Sequence, residues 1–189
     1  MKNLKKILFF IVGIGLMISC LEDPDWGYLS MKDNYPIIVT LPVDASFSCN
    51  YLETFVDLNL CGSSPMMRVL AEGSGTGVSL GDFTIYWDYC CDIETCCFNN
   101  SGSIVATLVA ANGDELFISS WGIMSLPDES DPPDIIKKWD APVLFKGGTG
   151  LYKGASGEGI FNGQIYNHKD GEPQYGGSFT GILTTIKRD

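Results

Sequence analysis

The chain has 189 residues, with 23 acidic and 12 basic side chains, a single histidine and a formal net charge of −11. A field of that sign repels nucleic acid and anionic lipid headgroups, which excludes both as partners of the bare surface. The length suits one domain with a sizeable core, and acidity by itself implies solubility more than any particular partner.

Lys2, Lys5 and Lys6 precede an apolar run, Ile7 to Ile18. That run falls short of the roughly 20 residues needed to cross a bilayer and fits a secretory signal. Met17-Ile18-Ser19-Cys20 resembles a bacterial lipobox, which makes residues 1–19 a lipoprotein signal peptide and Cys20 the lipid-bearing mature N-terminus. Residues 20–34 form a tether whose first part, Leu21-Glu22-Asp23-Pro24-Asp25, is acidic. An acidic cluster there resembles the export signal of surface lipoproteins, so the expected location is the outer membrane, at its periplasmic face or at the cell surface. Cleavage removes three lysines and brings the formal charge to −14, so membrane attachment depends on the lipid.

Residues 35–189 read as one all-β domain. Apolar, β-branched runs are separated by Gly, Asn, Asp and Pro clusters. Strands are predicted at residues 36–43, 51–60, 66–71, 80–89, 102–110, 115–124, 141–146, 157–166 and 176–186. Asn112-Gly113 between two of them predicts a type I′ hairpin turn, and residues 167–171 predict another reversal. Many antiparallel strands without helices imply closure, which removes exposed edges. The expected fold is a closed antiparallel β-barrel of about eight strands.

Six cysteines follow Cys20: Cys49, Cys61, Cys90, Cys91, Cys96 and Cys97. In an exported protein an even number predicts disulfides. A bridge across the Cys90-Cys91/Cys96-Cys97 hairpin, with another to Cys49 or Cys61, is the expected arrangement among 15 connectivities. The competing reading is a thiolate site for zinc or copper(I), but the doublet spacing departs from that of structural zinc sites. Leu126 to Asp134, with three prolines and four carboxylates, predicts an exposed acidic loop. Its spacing lacks the glycine and terminal glutamate of a calcium loop, so a solvated loop is expected. His168 lies in a predicted turn with no nucleophile motif beside it, and no phosphate-loop, zincin or hydrolase motif occurs. Nothing in the sequence calls for a cofactor or a metal.

The densest signal is Phe145 to Gly163, with glycine at 147, 148, 150, 154, 157, 159 and 163. The residues after the turn form strands better than helices, so a forced turn running into a tightly packed strand is expected. Gly147-Gly148-Thr149-Gly150-Leu151-Tyr152-Lys153-Gly154-Ala155-Ser156-Gly157 resembles the Gly-Gly-Thr-Gly signature of dirigent and allene-oxide-cyclase-like β-barrels. Ala110-Ala111-Asn112-Gly113-Asp114 is similar to the hairpin of bacterial members of that group. The resemblance implies an allene-oxide-cyclase-like barrel over residues 100–186 and carries over no catalytic residue.

A ligand site is sought in the barrel interior. Glu158, Asn162 and Gln164 share a strand face with Ile160 and Tyr166. Turned inward they give a polar lumen, and turned outward they leave Phe161 and Ile165 as core, which is the expected setting. With Arg68, Trp87 and Trp121 they are the candidate pocket residues. Two functions follow. One is a non-catalytic lipoprotein module binding a small apolar ligand or a surface partner. The other is a barrel enzyme guiding a reactive apolar intermediate, as the resemblance allows.

Overall fold

From Val43 to Cys49 every second residue (Val43, Ala45, Phe47, Cys49) is buried and those between are exposed. This period of two marks a strand with one wet face. The computed structural model describes residues 36–61, 66–92, 97–98, 103–167 and 173–187. The expected signal peptide (1–19), Cys20, the expected tether (20–34), Cys96 and His168 lie outside these residues.

Among the described residues ten strands are formed: β1 (Ile37–Phe55), β2 (Met66–Val78), β3 (Gly81–Asp92), β4 (Cys97–Phe98), β5 (Ala106–Ala110), β6 (Glu115–Ser120), β7 (Gly122–Ile123), β8 (Ile135–Gly148), β9 (Ser156–Asn167) and β10 (Pro173–Lys187). Neighbours run β1, β2, β3, β5, β6, β8, β9, β10, and β10 pairs back onto β1. Hydrogen bonds therefore close a ring through eight antiparallel strands, and β4 with β7 extends β3 to one side. Among the described residues the helical structure is one 3-10 turn, Gly150–Tyr152.

The ring is filled with aromatic side chains. Phe161 lies 5.0 Å from both Trp87 and Phe179, ring centre to ring centre, and Trp139 stacks on Tyr175 at 5.2 Å. Phe47 touches Trp87, Phe161, Phe179 and Tyr175. Fully burying one such ring contributes about 1.5–3 kcal/mol. Small residues on the same faces make room for the rings. A Cβ at Gly75 would lie 2.4 Å from the Phe83 ring, and one at Gly163 would lie 2.5 Å from the Trp139 ring. Large and small residues thus alternate across the interior, as a narrow closed sheet requires.

Several boundaries differ from the sequence expectation. Residues 36–43 and 51–60 are not two strands, because β1 runs unbroken through Asp44–Asn50, whose inward positions stay apolar. A bulge at Asn50 absorbs the mismatch with β2, where Cys49 faces Gly73 and Tyr51 faces Glu72. After Phe55 the chain leaves the sheet, and the Asp57 carboxylate takes the amides of Asn59 and Leu60 at 3.1 Å. The strand expected at 115–124 ends at Ser120, and that expected at 141–146 begins at Ile135 and reaches Gly148.

The Asn112-Gly113 hairpin exists, but its turn is not type I′, which needs both central residues at positive φ. Only Gly113 is left-handed, at φ +87°. Gly113 N–H donates to Ala110 C=O at 2.9 Å, and Ala110 N–H donates to Asp114 C=O at 2.8 Å. This is a three-residue loop closed by a left-handed glycine, and Asn112 Oδ1 accepts the Asp114 amide at 3.0 Å.

Candidate functional site

The glycine-rich turn and the Asn-Gly hairpin, 30 residues apart and more in sequence, dock on each other. Gly147 and Gly150 take φ of +93° and +47°, a region that disfavours side chains. At Gly148 a Cβ would lie 1.8 Å from the Glu115 carbonyl oxygen, so only glycine lets β8 approach β6 there. Thr149 continues the pairing by a different means. Its amide donates to Glu115 C=O and its Oγ1 accepts the Glu115 amide, both at 2.9 Å. The Asp114 carboxylate accepts the Leu151 amide at 2.9 Å and the Asn112 side-chain amide at 2.9 Å. Gly154, at φ +77°, turns the chain back, and Gly157 is the second residue of the strand that follows. Gly147, Gly148, Thr149, Gly150, Gly154 and Gly157 therefore build a closure between β6, β8 and β9. Tyr152 anchors this closure, buried to 7% exposure, and burial raises its phenol pKa with help from Asp114.

The six candidate pocket residues do not converge. Trp87 is 2% exposed in the centre of the aromatic stack. Glu158 is exposed, and Asn162 and Gln164 stand half-buried on the outer side of β9, while Phe161 is fully buried on the inner side. Trp121 is half-buried between β6 and β7. Arg68 leaves the interior and forms a two-point ion pair with Asp88 at 2.6 and 2.7 Å, with Asp57 at 3.3 Å. These bonds hold the guanidinium charged, above its already high pKa.

Cys61 and Cys90 form a disulfide across 29 residues, with Cα atoms 5.5 Å apart. Bonding at Cys90 removes one thiolate from the metal set that the two doublets offered. Cys49 and Cys91 are buried. β4 pairs with β3 through Phe98 and Cys91, so the chain does reverse after the first doublet. Burial pushes the Cys49 thiol up to about 12, with a smaller push from Glu72. Tyr89 and Tyr175 are pushed up in the same way, chiefly by burial.

The acidic loop is paired with a cation of the strand that follows it. Lys138 Nζ lies 2.6 Å from both Asp128 and Asp131. Hydrogen bonding to Lys138 is the main cause that lowers the Asp131 pKa. The four carboxylates of the segment are thus partly neutralised by a lysine of the adjoining strand.

A depression of about 810 Å³ lies on the outer side of the ring, across β1, β2, β3 and the end of β5. Its rim carries Ser46, Ser48, Ser74, Thr76, Asp82 and Thr84. Register places Ser46 opposite Thr76, Thr76 opposite Asp82, Ser48 opposite Ser74, and Ser74 opposite Thr84. A second depression of about 340 Å³ shares Ser74 and Thr84 and adds Asn50 and Glu72. The β1 bulge supplies Asn50 to this face, a common use of bulges. Tyr86 stands opposite Glu72 and is 44% exposed. Inward glycines at 73, 75 and 77 let β2 close on β1 beneath this surface: a Cβ at Gly73 would lie 2.1 Å from the Ser48 carbonyl oxygen.

None of these groove residues was singled out from the sequence. The available signal was the alternation Ser46-x-Ser48, Ser74-x-Thr76 and Asp82-x-Thr84, which the β1–β2–β3 register aligns. Comparison with protein-family models, curated proteins and solved structures finds no match.

Proposed function

We propose that the chain is a cell-envelope lipoprotein, anchored by a lipid on Cys20 to the outer membrane at its periplasmic face or the cell surface. Its eight-stranded ring is a β-barrel of the allene-oxide-cyclase-like kind that binds a ligand or surface partner without catalysing a reaction. The lipobox-like Met17-Ile18-Ser19-Cys20 supports the anchor, and the closure built by Gly-Gly-Thr-Gly supports the barrel kinship. The observation that carries the binding reading is the filled interior. Phe47, Trp87, Trp139, Phe161, Tyr175 and Phe179 occupy the volume in which an apolar intermediate would have to sit. The ligand-sized depression lies outside, on β1–β3. An enzyme of the alternative kind needs an arginine or carboxylate at a cavity floor, whereas Arg68 and Glu158 stand on the outer side.

The full chain, expressed with its leader in a Gram-negative host and extracted in detergent, tests both parts. Palmitate label and membrane association are expected for the wild type and absent from Cys20→Ser. Label retained in that variant would overturn the anchor. Native mass spectrometry then addresses the site. A small apolar adduct carried equally by wild type and by Ser74→Trp would overturn placement of the site on the outer face.

A further inference from the structure

We infer that the outer groove takes a neutral polyhydroxylated ligand, a glycan chain laid across β1, β2 and β3. This rests on the reading that the groove is the binding face, and it names the ligand class.

The groove presents hydroxyls in rows. Asp82, Thr76 and Ser46 form one row, and Thr84, Ser74 and Ser48 form the next. Tyr86 and Glu72 begin a third, with Asn50 beside them. Adjacent strands lie about 4.8 Å apart and like-facing residues about 6.6–6.8 Å apart, so the rows offer a polar contact every few ångströms in both directions. Ser46, Ser48, Ser74, Thr76 and Thr84 make no side-chain hydrogen bond to another described residue. Their donors and acceptors face the groove and its solvent.

The chemistry of this surface selects a ligand. A hydroxyl both donates and accepts, as each sugar hydroxyl does, so every donor on either side can find an acceptor on the other. Asp82 and Glu72 add acceptors for charge-assisted bonds from sugar hydroxyls. Tyr86 gives an exposed ring that ends in a polar group, suited to the apolar face of a sugar ring. An apolar ligand would cover Val109, Ala110 and Ala111 at one end of the groove, but it would strip water from five hydroxyls and return no bonds. An anionic ligand meets two carboxylates and no cation among the groove residues. A second copy of the chain packed face to face would set one acidic, cation-free groove with Asp82 and Glu72 against another, which like charges oppose.

The test uses the full-length lipidated protein in detergent, applied to three immobilised probe sets. These are neutral glycans (cellohexaose, chitohexaose, xylan and mannan), acidic glycans (alginate and polygalacturonate) and oligolysine. Ser74→Trp blocks the groove at its centre, and its outward, exposed position spares the core. Thr180→Trp, exposed on β10 and absent from the groove lining, is the control. Binding of at least one neutral glycan is expected, weakened at least about tenfold by Ser74→Trp and unchanged by Thr180→Trp. It should hold between low and physiological salt, since uncharged partners are not screened. Binding of oligolysine or an acidic glycan alone, sensitive to Ser74→Trp, would overturn the ligand class and leave the groove as the site. Neutral-glycan binding indifferent to Ser74→Trp, or no binding by any probe, would overturn the groove itself.

Discussion

At the scale of single residues, Cys49 shows how the packed interior sets chemistry. It is fully buried, and desolvation moves its thiol from an ordinary value near 9 to about 12. The folded protein therefore disfavours the thiolate, which is the reactive form. The raised folded value means that Cys49's contribution is fully present below pH 9 and is lost as pH rises toward 12. Tyr89 and Tyr175, raised by the same burial, act in the same direction. Native protein at pH 8 should leave Cys49 unmodified by iodoacetamide, with modification appearing only on unfolding. Stability measured by urea titration should fall between pH 9 and 12. Rapid alkylation of Cys49 in the folded protein, or a flat alkaline profile, would contradict the burial assigned to it.

At the scale of elements, the closure of β6 on β8 depends on a carboxylate meeting backbone. Asp114 holds the Leu151 amide across 37 residues and also ties Asn112 in its own hairpin. Replacing Asp114 with Ala should lower stability by about 1–2 kcal/mol, the loss of charge-assisted bonds at a partly exposed site. Thermal melting reads this directly, and an unchanged midpoint would show that the turn is held by other contacts. Much of this element was legible in sequence. The glycine spacing announced a turn followed by a strand, and the Asn-Gly pair announced a hairpin. What sequence did not reveal is that the two meet, since that contact is made only by β6–β8 pairing. The turn type was also misread, because Asn-Gly favours a two-residue loop while the Ala110–Asp114 pairing closes a loop of three.

The acidic loop and the outer groove share a second lesson at this scale. Local composition showed that Leu126–Asp134 is exposed, but not that Lys138 would bind Asp128 and Asp131. The groove was hidden for a related reason. Each strand gives it only two or three small polar residues, and such residues also fill ordinary wet faces. Only register, together with the Asn50 bulge, gathers them into one surface.

At the scale of the molecule, the closed ring follows from alternation and from where side chains are missing. Alternating apolar residues give every long strand an inner face, and eight strands leave an interior just wide enough for side chains to fill. The ring then has to bend hard, and inward glycines mark where backbones come closest. On β9 and β10, Gly159 faces Gly181, and a Cβ on Gly159 would lie 2.2 Å from the Thr180 carbonyl oxygen and 2.9 Å from the Gly181 Cα. The strand content and the need for closure were visible in the sequence. The identity of the inner face was a choice between two alternatives there, and packing of Phe161 and Phe179 decides it.

The most direct test of ring closure is equilibrium urea unfolding of Gly159→Ala. In a flat, open sheet, alanine stabilises a strand interior relative to glycine by about 0.5–1 kcal/mol, because the unfolded chain has less freedom to lose. In a ring bent this tightly the added methyl meets backbone, and overpacking of that kind costs about 1–3 kcal/mol. The sign therefore separates the two. A midpoint shifted to lower urea with an unchanged slope is the expected result, and a midpoint that stays or rises would contradict a ring closed through its glycines.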